Sequence, residues 1–183
     1  IYTSFAVANR EPNRNDFEAG VTTPETLNDY ELGWRFRSDN VKLTVNSYFM
    51  DYKNQLVLTG ALNDVGAPIR ATSGSSYRLG LEMDADIRIS DKLSIRPNAT
   101  FSSNKNRDFF ITKDGNTTPQ SLGNTNLSFS PDVIVGNSFT YAPTENLQLS
   151  FLSKYVSDQF MSNFSSEVST NDVLEDYFTS DLN

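Results

Sequence analysis

The stretch Tyr77-Arg78-Leu79-Gly80-Leu81-Glu82-Met83-Asp84-Ala85-Asp86-Ile87-Arg88-Ile89-Ser90 decides the fold. Its odd-numbered residues are apolar down to Ile89, and its even-numbered residues are charged, polar or glycine. A period of two is the mark of a strand with one apolar and one polar face. Ser90-Asp91-Lys92 makes a tight polar turn, and the alternation restarts: Leu93, Ile95, Pro97, Ala99 and Phe101 against Ser94, Arg96, Asn98, Thr100 and Ser102. Residues 77–102 therefore read as a long antiparallel hairpin. Strands of a soluble sandwich are usually about 5–6 residues long. These approach or exceed the roughly 9–11 residues that a tilted strand needs to cross a bilayer. Ten such residues rise about 23 Å, close to the roughly 25 Å apolar band of an outer-membrane barrel.

The same pattern recurs on both sides. Expected strands cover Ile1–Asn9, Asp29–Arg37, Val41–Asp51, Tyr77–Ser90, Leu93–Ser102, Asn126–Tyr141 (interrupted by Pro131), Asn146–Val156 and Tyr177–Asn183. Long polar connections span Arg10–Asn28, 52–76 and 103–125, and a fourth follows Val156 and runs to about Glu175. Gln55–Thr59 within the second reads as a further piece of strand. Ser38-Asp39-Asn40, Ser90-Asp91-Lys92 and Ala142–Glu145 are the short turns. Long and short connections alternate strictly, so in an up-and-down sheet all short turns lie at one rim and all long loops at the other. Outer-membrane barrels have that asymmetry; a soluble eight-stranded barrel has no physical reason for it. Trp34, Phe36 and Tyr141 fall beside short turns, and Phe49, Tyr77, Phe101 and Tyr155 beside long loops, as two interfacial belts would require.

Charge placement agrees. Arg35, Arg37, Lys42, Arg78, Glu82, Asp84, Asp86, Arg88, Arg96 and Lys154 all share the face opposite the apolar one. On the lipid side a Lys or Arg at the bilayer midplane would cost about 2–4 kcal/mol; facing a wet lumen, it stays hydrated or paired.

Composition narrows the function. The 183 residues suffice for one domain, with a formal charge of −8 that argues against a nucleic-acid partner. A mean hydropathy of −0.45, with no long apolar run, excludes a membrane helix but not a barrel. Cysteine and histidine are absent, which removes thiolate and imidazole metal sites, His-based triads and the commonest general base. The chain opens in mid-strand without a signal peptide, so its true start is expected upstream.

Several longer words are those of a known family. Tyr2-Thr3-Ser4-Phe5-Ala6-Val7-Ala8-Asn9-Arg10-Glu11-Pro12-Asn13-Arg14, Pro24-Glu25-Thr26-Leu27-Asn28-Asp29-Tyr30-Glu31-Leu32-Gly33 and Tyr48-Phe49-Met50-Asp51-Tyr52-Lys53-Asn54-Gln55-Leu56-Val57 resemble stretches of TonB-dependent outer-membrane receptors of Bacteroidetes-type bacteria. Leu127-Ser128-Phe129-Ser130-Pro131-Asp132 and Asp176-Tyr177-Phe178-Thr179-Ser180-Asp181-Leu182 fit the C-terminal end of that family. The resemblance spans nearly the whole chain. It implies an all-β, antiparallel transmembrane barrel of 22 strands, of which this chain supplies about eight as a C-terminal segment. It also implies an N-terminal plug, energy from TonB through that plug, and uptake of a scarce nutrient such as a ferric siderophore. The plug and the remaining strands are absent from this chain, and they, outer-membrane lipid and a small nutrient ligand are the partners expected. No cofactor, resident metal or covalent chemistry is expected.

Individual residues carry competing readings. Glu82, Asp84 and Asp86 lie about 6.6 Å apart on one strand face, a spacing compatible with an inverting glycosidase pair. Arg78 and Arg88 flank them on that face, so lumen ion pairing is the simpler reading. The trio lacks the glycine and distal glutamate of a calcium loop. Ser153 and Lys154 point to opposite faces and form no dyad. The N-x-[ST] matches at Asn98, Asn116, Asn126 and Asn163 are expected by chance in such a composition. In the loops, Arg10, Arg14, Arg70, Lys105, Arg107 and Lys113 are candidates to meet an anionic chelate, and Phe109 and Phe110 its apolar part. Two other architectures fit the strand count: a complete eight-stranded outer-membrane barrel acting as adhesin or anchor, and a soluble calyx.

Overall fold

The computed structural model describes residues 1–72, 74–111, 120–163 and 173–183. Eight long strands form its wall: β1 (Tyr2–Arg10), β2 (Glu25–Arg37), β3 (Val41–Lys53), β4 (Ser75–Ser90), β5 (Leu93–Arg107), β6 (Val133–Thr144), β7 (Leu147–Val156) and β8 (Tyr177–Leu182). They pair in sequence order, each antiparallel to the next, so the sheet is an up-and-down meander with no crossover. Its two edges, β1 and β8, do not pair with each other. A closed eight-stranded barrel is therefore not what these strands form.

Register carries each parity across the whole sheet. Trp34, Val45, Met83, Ala99, Val135, Tyr155 and Phe178 stand opposite one another in a single row from β2 to β8. One residue along, the row is Arg35, Thr44, Asp84, Asn98, Gly136, Lys154 and Thr179. A slip of one residue in any strand would exchange the two rows, so the alternation fixes the register. Among the described residues no protein layer covers the apolar face: Phe5, Leu32, Trp34, Leu81, Phe139 and Phe151 are all exposed. Rings line it at both ends. Phe5 and Tyr30 lie 4.9 Å apart, Tyr30 and Phe49 6.3 Å, and Phe49 and Tyr77 6.2 Å, forming a ladder across β1 to β4 at the long-loop rim. Trp34 and Phe36 pair at 6.1 Å near the other rim. No described helix is long and apolar enough to cross a membrane.

On the polar face large side chains lie flat on glycines. The Tyr2 ring occupies the space where a Cβ of Gly33 would stand, and the Tyr48 ring covers Gly80 in the same way. Arg35 stacks on Tyr2 at 4.5 Å. Glycine at these strand positions is explained by close approach rather than by a turn.

The strand boundaries differ from expectation where ladders outrun the apolar pattern. β2 begins at Glu25 rather than Asp29, β3 ends at Lys53 rather than Asp51, and β5 runs to Arg107 rather than Ser102. The expected sixth strand is broken. Thr125–Asn126 pairs with β5 at Asn106 and Lys105. The chain then turns out through Phe129, whose φ is +50°, and β6 starts only at Val133. Pro131 cannot donate to a ladder, which is why the strand cannot run through it. At its other end β6 passes the expected turn at Ala142, through a bulge between Tyr141 and Thr144. The piece expected at Gln55–Thr59 is a separate hairpin, Leu56–Leu62 against Pro68–Thr72.

Candidate functional site

The long-loop rim is where the molecule acquires a buried interior. Val21, Leu56, Val57, Phe109, Leu127 and Val156 are buried, and all lie in or next to the long connections. Asn13 caps a short helix, α1 (Arg14–Glu18), by accepting from the Asp16 N–H, and Asp16 accepts in turn from the Asn13 N–H. Asp16 is only 2% exposed and faces the Arg70 guanidinium at 3.1 Å. That ion pair ties the first long loop to the Leu56–Leu62 hairpin. Glu25 secures the hairpin's base by accepting from the Leu56 N–H at 2.8 Å. Asn54 and Gly74, both at positive φ, turn the chain in and out of this excursion.

Beneath the cap runs a row of buried polar groups on the polar face: Ser76, Asn106 and Thr125, in register. Asn106 Nδ2 donates to Thr125 Oγ1 at 3.0 Å, and the Ser76 hydroxyl donates to Gln55 Oε1. Further down, a recess is lined by Glu31, Tyr48, Arg78, Glu82, Phe129 and Ser130. Arg78 donates to Ser130 at 3.0 Å across it. Phe129 is 59% exposed although bulky residues rarely adopt positive φ. A second recess holds Asp84, Arg96, Asn98, Lys154 and Asp181.

All ten charges assigned to the lumen side lie on the polar face. Asp86 meets Lys42 at 3.9 Å and Arg96 at 3.6 Å. Arg88 donates to Asn40. Arg78 has the serine contact above, while Glu82 and Asp84 line the two recesses. Neither carboxylate has an ion pair among the described residues.

The eight loop candidates separate. Arg10 is exposed at the end of β1, and Arg14 pairs with Glu18 at 2.8 Å in the open. Arg70 is held by Asp16. Phe110 is 54% exposed, whereas Phe109 is 3% exposed and belongs to the buried cap. Lys113 lies outside the described residues. Lys105 and Arg107 are corrected in position: they lie on β5, not in a loop, because pairing with β4 continues to Ser75. Their register with Tyr77 and Ser75 puts them on the outward, apolar-face side. Lys105 donates to Asn126, and Arg107 meets Asp51 at 2.9 Å while lying 4.9 Å over the Tyr77 ring. Asp132, just before β6, has its carboxyl held above the usual value by desolvation, with Lys105 opposing and Asp158 reinforcing the shift.

Phe129, Glu31 and Tyr48 escaped sequence reading as site residues. The only signal was Pro131 breaking the alternation, which marks a redirected chain without saying where it points.

Among solved structures, the siderophore receptor PiuA from Acinetobacter baumannii aligns with 98% of this chain at 18% identity and a TM-score of 0.73, this chain covering 26% of it. The ferric yersiniabactin uptake receptor FyuA from Yersinia pestis aligns with 98% at 18% identity and 0.66, with 26% of its length covered. The copper transporter OprC aligns with 99% at 14% identity and 0.71, with 28% covered. The chain thus spans about a quarter of the structures it resembles. No curated protein matches the sequence. The family described as TonB dependent receptor-like, beta-barrel matches residues 1–183. The chain belongs to this family of integral outer-membrane receptors, and its eight strands are a stretch of their barrel wall.

Proposed function

We propose that this chain supplies a C-terminal part of the barrel wall, and ligand-facing loops, of a receptor that imports a scarce nutrient, a ferric siderophore or comparable metal chelate. The observation that carries the reading is the segregation of the long loops to one rim, where their described parts bury Val21, Leu56, Phe109 and Leu127 beside a polar face. The printed functions of PiuA and FyuA, siderophore reception and ferric yersiniabactin uptake, favour iron as the cargo metal, and OprC keeps copper within the class. Arg10, Arg14, Phe110 and Lys113 are the proposed ligand contacts at the loops. Arg70, Lys105, Arg107 and Phe109 serve the same region by holding its architecture. The lumen charges Arg78, Glu82, Asp84, Asp86, Arg88 and Arg96 keep the passage wet. The plug, the remaining strands and the TonB contact belong to the rest of the receptor. Transport is binding, gating and release, with no bond made or broken by these residues.

The test is uptake of radiolabelled ferric chelates by iron-starved cells that express the complete receptor as their only outer-membrane iron route. Accumulation that requires both the receptor and TonB is expected. Failure to accumulate any ferric or cupric chelate, with the receptor folded in the membrane, sinks the cargo assignment.

A further inference from the structure

The outward face of the wall strands carries just four charges, and they cluster. Asp51, Lys53, Lys105 and Arg107 all lie at the long-loop ends of β3 and β5. Every other outward position on the eight strands is apolar or neutral. In register, Asp51, Tyr77 and Lys105 form one row, directly above the row of Tyr30, Phe49 and Leu79. Lys53, Ser75 and Arg107 form the row above that. Lys105 thus stands level with Tyr77 at the upper edge of the aromatic ladder, and Lys53 and Arg107 stand one row beyond it, at the height where rings meet headgroups in a barrel.

We propose that Lys53, Lys105 and Arg107 form a docking site for the phosphate of an anionic lipid headgroup in the leaflet at the long-loop rim. Lys53 and Arg107 stand two strands apart in one row, about 9–10 Å between backbones, so their side chains span one phosphate between them. Arg107 is pre-positioned by the Tyr77 ring and by Asp51, and a guanidinium has five donors, of which the carboxylate uses a part. Asp51 cancels one of the three positive charges, leaving an excess for an anion. The outward strand ends at the opposite rim, Phe36, Val41, Ile89, Leu93, Tyr141 and Leu147, carry no charge. A phosphorylated headgroup therefore has a complement at one rim only.

The test uses the complete receptor in nanodiscs of phosphatidylcholine doped with phosphatidate, without divalent cations. Native mass spectrometry reads the enrichment of phosphatidate among retained lipids. Enrichment is expected for the native receptor, with a loss of about five-fold per cation removed. The triple variant K53Q/K105Q/R107Q should fall to the bulk lipid ratio. Lys53→Gln alone, at an exposed position without an ion pair among the described residues, should lower enrichment without touching the fold. Removing Lys42 and Lys154 from the polar face should leave it unchanged. Full enrichment in the triple variant, or an equal fall in the Lys42/Lys154 control, overturns the proposal. Inorganic phosphate added to the same sample should not displace the lipid; displacement assigns the patch to free phosphate and also overturns it.

Discussion

The wall and the loop cap solve the burial problem in opposite ways. Along the wall, Leu32, Leu81, Phe139 and Phe151 stay exposed on the outward face, and only a lipid solvent makes that arrangement stable. In the cap, Leu56, Phe109 and Leu127 are buried within the protein itself, as in a small soluble domain. The wall is specified by a ladder that runs through every residue. The cap hangs on a few discrete contacts, and of its described ion pairs Asp16–Arg70 is the most enclosed. The wall should therefore tolerate most single changes and fail at lipid-facing charges, whereas the cap should fail wherever one contact is removed.

The largest effect follows from that asymmetry. Arg70→Ala leaves Asp16 buried without its cation, and breaking a buried pair costs about 3–5 kcal/mol. Amide hydrogen exchange in residues 14–21 and 56–72 should accelerate by at least a hundred-fold, with exchange in β3 and β4 unchanged. Acceleration spread evenly over wall and cap would erase the distinction between the two regions. Next in size is the wall's own weakness. Met83→Arg puts a cation at the middle of the apolar face and should destabilise the folded receptor by about 2–4 kcal/mol in lipid vesicles. Its neighbour Asp84, on the polar face, should accept Asn with little change. Equal costs at the two positions would mean that the apolar face does not meet lipid.

This contrast also separates what was legible in the sequence from what was not. Alternation at Tyr77–Ile89 and Leu93–Phe101 named the strands, the faces and the rims, because a barrel wall repeats one local rule at every residue. The cap obeys no period. Nothing in Asn13-Arg14-Asn15-Asp16 announces that Asp16 is buried against Arg70, more than fifty positions along the chain. Charge alone made Arg70, Lys105 and Arg107 look like ligand contacts. Their actual neighbours, a buried carboxylate, an asparagine and an aspartate beside a tyrosine ring, are set by pairing between distant strands. Phe109 and Phe110 show the limit most plainly: adjacent and identical in type, one is buried and the other exposed.

A smaller effect tests whether the polar face of the wall is packed like the cap or merely wetted. Gly80 lies under Tyr48, and an added Cβ would collide with the ring. If Tyr48 is held there, Gly80→Ala should cost about 1–3 kcal/mol as an overpacked site. If the ring swings freely into the lumen, the change should be silent. Guanidinium titration of the folded receptor in vesicles decides between them. The double change with Tyr48→Ala should recover the loss only in the first case.

The smallest effect lies on the cap's surface. Arg14 and Glu18 pair across one helical turn, but both side chains are mostly in water. An exposed pair of this spacing is worth about 0.3–0.5 kcal/mol. Glu18→Gln should therefore leave hydrogen exchange in residues 14–21 within about two-fold of the native rate. The Asp16 pair lies on the same five-residue helix, two positions away. If exposure sets the worth of an ion pair, the two substitutions must differ by a hundred-fold or so in the same segment. A comparable response to both would place the helix's stability in its Asn13 cap instead, and Asn13→Ala would then become the largest perturbation of the cap.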